Sequence, residues 1–68
     1  MTFQIQIEQE ADGRWIAEVE ALPGVQTYGA TRTDAVAKVQ VLALRVLADR
    51  LEHGEAAPEL LSVSFQAA

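Results

Sequence analysis

The sequence predicts an α+β fold: a β-β-β-α-β two-layer sandwich, with a three-stranded antiparallel meander, one helix, and a fourth strand parallel to the first. Three observations predict it. Short segments near both ends alternate apolar and polar residues with the period of two that marks a half-buried strand. Turn residues stand between the first three of them. A single span of about twenty residues then carries apolar positions at helical spacing, with start and stop signals at its ends.

The first strand is expected over Phe3–Glu8, where Phe3, Ile5 and Ile7 share one face and Gln4, Gln6 and Glu8 the other. Asp12-Gly13 supplies the positive backbone angle of a hairpin turn. The second strand follows over Arg14–Ala21, with Trp15, Ala17 and Val19 on one face and Glu18 and Glu20 on the other, where Ile16 is the apolar exception. Leu22-Pro23-Gly24 stops it, and the third strand, Val25–Tyr28, is short and ends before Gly29. The helix is expected from Arg32 to His53. Thr31 caps it, Asp34 places a negative charge near its N-terminus, and Gly54 ends it. The last strand is expected over Leu60–Gln66, with Leu61, Val63 and Phe65 alternating against Ser62, Ser64 and Gln66.

The helix carries more apolar surface than one sheet can cover. Ala35, Val36, Val39, Leu42, Ala43, Val46 and Leu47 form one broad stripe suited to the sheet. Val41, Leu44, Ala48 and Leu51 form a second stripe rotated away from the first, with Asp34, Lys38, Arg45, Asp49 and Glu52 in the arc between. A second stripe predicts a partner surface. The expected interface residues are therefore Tyr28, Val41, Leu44, Ala48 and Leu51, with Tyr28 included as an aromatic anchor at a strand end. The chain has 68 residues, and domains of that size are marginal as monomers, so a homo-oligomer is expected.

Composition narrows the function. Ten acidic and five basic residues give a formal charge of −5, which argues against direct binding of nucleic acid and suits a basic partner. The chain has no cysteine and one histidine, so thiolate and imidazole metal clusters are out of reach. Glu8, Glu10, Glu18 and Glu20 are the sole grouping that suggests a divalent cation, and outward-facing acids on a solvated strand explain them as well. His53, in the last helical turn, reads as a capping or solvated residue. No catalytic residue, cofactor or metal site is expected. The opening MTFQIQIEQE lacks the basic and apolar regions of a signal peptide, and no apolar run is long enough for a membrane span, so a cytoplasmic location is expected.

The segments Gly13–Val19, Ala21–Val25, Tyr28–Thr31 and Asp34-Ala35 together resemble the HicB-type antitoxin domain. The pattern W-x-A-x-V-x-x-L-P-G runs from Trp15 to Gly24, and G-x-T-x-x-E-A from Gly29 to Ala35, with Asp34 in place of the usual Glu and Val25 where many members have Cys. The resemblance runs from about Phe3 to the end of the helix. It implies a partly degenerate ribonuclease-H-like fold without nuclease residues, and Ile5 indeed stands where a metal-binding acid would be needed in the first strand. It also implies binding to a small basic HicA-like toxin that cleaves RNA. Many members add a C-terminal DNA-binding segment. The expectation here is one HicB-like domain over residues 1–68 without that segment, acting through protein–protein contacts. The alternative is a stand-alone oligomeric structural or regulatory domain with no toxin partner.

Overall fold

The computed structural model describes residues 1–55 and 57–67. Strands β1 (Thr2–Gln9), β2 (Trp15–Glu18) and β3 (Gln26–Gly29) precede the helix α1 (Arg32–Glu52), and β4 (Ser64–Ala67) closes the order. The four strands form one sheet in the order β3-β2-β1-β4. β1 runs antiparallel to β2 and parallel to β4, and β2 runs antiparallel to β3. The expected α+β topology, with the fourth strand beside and parallel to the first, is the one observed.

Alternation in β1 has its expected result: Phe3 and Ile5 are buried under α1, and the even-numbered residues point away. The hairpin that follows closes around Gly13, at φ +91°, with Glu10 N–H donating to the Arg14 carbonyl. Arg14 N–H donates to Asp12 Oδ1 at 3.1 Å, and Arg14 Nε–H donates to Oδ2 at 2.8 Å. The backbone bond first, and then the guanidinium, hold the Asp12 carboxyl below the usual carboxylate range.

β2 is shorter than expected. The chain reverses at Val19, where Leu22 N–H donates to the Val19 carbonyl and Val25 N–H to the Leu22 carbonyl. This tight loop drives Leu22 and Val25 into the core beside Val19. Leu22 therefore acts as a core residue as well as part of a stop signal.

α1 begins where its cap predicts, with Asp34 N–H donating to Thr31 Oγ1 at 3.0 Å. It ends in a Schellman pair: Glu55 N–H donates to the Arg50 carbonyl and Gly54 N–H to that of Leu51, with Gly54 at φ +80°. Ala35, Val39, Ala43 and Leu47, four residues apart along one line of the helix, are buried. Val36, Leu42 and Val46 flank that line and are partly buried against the core.

The last strand needs a correction. Residues Pro58–Leu61 form a 3₁₀ turn, opened by Pro58 at its first position, and the strand starts only at Ser64. Leu60 N–H bonds back to the Ala57 carbonyl, which takes this stretch out of the extended form that alternation suggested. Leu61 is consequently 93% exposed, and Leu60 packs on the core in its place with Val63 and Phe65. Phe65 lies opposite Phe3, with ring centroids 5.8 Å apart. No helix among the described residues is long and apolar enough to cross a membrane.

Candidate interaction surfaces

One helix covers one face of the sheet, and no described element covers the other. Register fixes what the open face presents. Thr27 Oγ1–H donates to the Ala35 carbonyl at 3.0 Å, so Thr27 faces α1 and its neighbours Gln26 and Tyr28 face away. Across the sheet, Tyr28 lies opposite Ile16, and Ile16 opposite Glu8. Glu18 lies between Gln6 and Gln26. Gln6, Glu8, Glu18 and Gln26, with Glu20 and Ile7, border a shallow depression of about 240 Å³ around Ile16.

The open face is acidic. The sheet and its turns, residues 2–29, carry Glu8, Glu10, Asp12, Glu18 and Glu20 against one cation, Arg14. That cation is already engaged: it bonds Asp12 and lies 4.7 Å from the centroid of the Tyr28 ring. Among the described residues Glu8, Glu18 and Glu20 have no ion-pair partner. The remaining cations, Arg32, Lys38, Arg45 and Arg50, all belong to α1. The molecule thus has an acidic sheet face and a helix face of mixed charge, a polarity that net charge alone conceals.

The five residues expected from the sequence to form an interface are all exposed, but they do not form one patch. Val41, Leu44 and Leu51 are 50%, 51% and 46% exposed on the outer surface of α1, with Ala48 exposed among them. Tyr28 lies on the opposite face of the sheet. Val41 borders a groove of about 420 Å³ between α1 and β3, lined also by Thr27, Ala37, Lys38, Leu42 and Arg45. The predicted meander already made β3 an edge strand, but the groove could not be read from sequence, because it depends on how α1 lies against that edge. Glu8 and Glu18 were legible as outward-facing acids of neighbouring strands, but their register on either side of Ile16 was not.

Among the described residues no three His, Cys, Asp or Glu side chains gather closely enough to hold a metal ion. His53 is exposed at the C-cap of α1, where its Nδ1–H donates to the Asp49 carbonyl at 2.7 Å. That is a helix-end role. Comparison with protein families, curated proteins and solved structures finds no match for this chain.

Proposed function

We infer that the chain is a non-enzymatic capture module of antitoxin type, whose open sheet face takes up a small basic protein. The observation that carries this reading is the trio Glu8, Glu18 and Glu20, without ion-pair partners among the described residues, around the partly buried Ile16. Unpaired carboxylates on a rigid sheet set up a negative potential that steers a cation-rich partner and repels nucleic acid. Ile16 and Tyr28 supply the apolar contact that charge alone lacks. The resemblance of the Trp15–Gly24 and Gly29–Ala35 segments to HicB-type antitoxins supports the same reading, and makes the partner a HicA-like RNA-cleaving toxin. Neutralisation follows from geometry: a surface that binds RNA must be basic, so an acidic face seated on it excludes the substrate.

The test uses the small basic protein encoded beside this chain. Its cleavage of RNA should fall to background at an equimolar amount of this protein. Undiminished cleavage at tenfold excess, with both proteins folded, would contradict the reading. The absence of any such neighbouring protein would favour the stand-alone regulatory domain.

A further inference from the structure

We propose that β3 pairs with β3 of a second copy of this chain across a two-fold axis at Thr27, joining two sheets into one. Val19 N–H donates to the Val25 carbonyl, which makes the Glu18–Gln26 pair non-hydrogen-bonded and fixes the alternation along β3. Thr27 and Gly29 then bond β2, while the N–H and C=O groups of Gln26 and Tyr28 point out from the sheet edge. Those two residues are placed symmetrically about Thr27. Antiparallel pairing of Gln26 with the second copy's Tyr28, and the reverse, satisfies all four outward groups of each copy with one set of bonds. An edge that complements itself in this way favours a second copy over an unrelated strand.

β3 also lacks the usual protection. The segment Gln26-Thr27-Tyr28-Gly29 has no charge and no proline, the devices that keep an edge from pairing. α1 packs more on β3 than on any other strand, so two-fold pairing brings two helices alongside one another above the joined sheet. The groove bordered by Val41 and Leu42 then receives the same flank of the second copy. Lys38 is no obstacle, since its charge is met within its own helix by Asp34 at 3.2 Å. The open acidic face stays free, so this association is independent of partner capture.

Sedimentation velocity on the full chain should give twice the 7.4 kDa mass. Gln26→Pro removes an outward donor at the first residue of the strand without touching a β2–β3 bond, and should raise the dissociation constant about 10- to 100-fold. The chain has no cysteine, so Thr27→Cys places one thiol on the axis. There the Cα atoms of the two copies would be about 4.5 Å apart, within disulfide range. Oxidation should cross-link Thr27→Cys into a dimer and leave Gln66→Cys, on the β4 edge, uncross-linked. If Gln26→Pro fails to fold, the cysteine pair decides alone. A monomer at 100 μM, or cross-linking at Gln66→Cys and none at Thr27→Cys, would overturn the proposal.

Discussion

Gly29→Ala should destabilise the fold by about 3 kcal/mol or more, the largest loss expected from the addition of one methyl group. Gly29 is buried in β3, opposite Trp15. A Cβ there would fall onto the Ala35 backbone nitrogen, 2.9 Å from the Ala35 Cα and 3.0 Å from the Asp34 carbonyl carbon. Backbone cannot rotate away as a side chain can. The helix is also tethered at this point, by the Thr27–Ala35 bond and by the Thr31 cap only two residues beyond the strand. Relief therefore means shifting the whole first turn and losing those bonds. In a domain of this size the cost corresponds to a fall in Tm of roughly 12–24 °C by thermal circular dichroism. Gly13→Ala makes the useful contrast. Nothing lies within 4 Å of its added Cβ, and only the positive φ opposes it, at a cost of about 1 kcal/mol. A Gly29→Ala protein no less stable than Gly13→Ala would show that α1 can slide on the sheet.

Reversing the three acids of the open face should abolish capture of the basic partner. Glu8→Lys, Glu18→Lys and Glu20→Lys together replace attraction by repulsion over one patch, and affinity should fall at least about 100-fold, mostly through the association rate. The loss should shrink as salt rises, since screening at about 0.15 M ionic strength acts over roughly 8 Å. Stability should change little, because none of the three acids holds an ion pair among the described residues. A control separates the patch from overall charge: Asp49→Lys, Glu52→Lys and Glu55→Lys change the net charge equally, but lie at the far end of α1 and just beyond it. That control should bind within about threefold of the parent. Equal losses in the two triple variants would mean that binding responds to net charge and not to the sheet face.

Much of the fold was legible because local signals agreed with one another. Thr31, Asp34 and Gly54 bracket α1, and Phe3, Ile5, Ala17 and Val19 show the period of a one-sided sheet. The misreadings occurred where alternation continued past a change in hydrogen bonding. Val19 through Ala21 still look strand-like, yet the Leu22–Val19 bond turns the chain. Leu61, Val63 and Phe65 alternate, yet Pro58 starts a 3₁₀ turn that leaves Leu61 in solvent. The surfaces were legible only in part. Helical periodicity alone exposes Val41, Leu44, Ala48 and Leu51, because it is a property of one element. The neighbourhood of Glu8, Ile16 and Glu18 depends on strand register, and the groove beside β3 on how α1 lies over the sheet. Both arise between elements, where no pattern within a single element encodes them.

The central claim, that the acidic sheet face is the surface of capture, is tested most directly by amide chemical-shift mapping. The ¹⁵N-labelled chain is titrated with the unlabelled basic protein encoded beside it. The largest perturbations are predicted at Gln6, Glu8, Ile16 and Glu18, spreading to Tyr28, with residues 41–51 of α1 nearly unmoved. Perturbations gathered on Val41, Leu44, Ala48 and Leu51, with Glu8 and Glu18 silent, would contradict the account and make the outer stripe of the helix the binding surface.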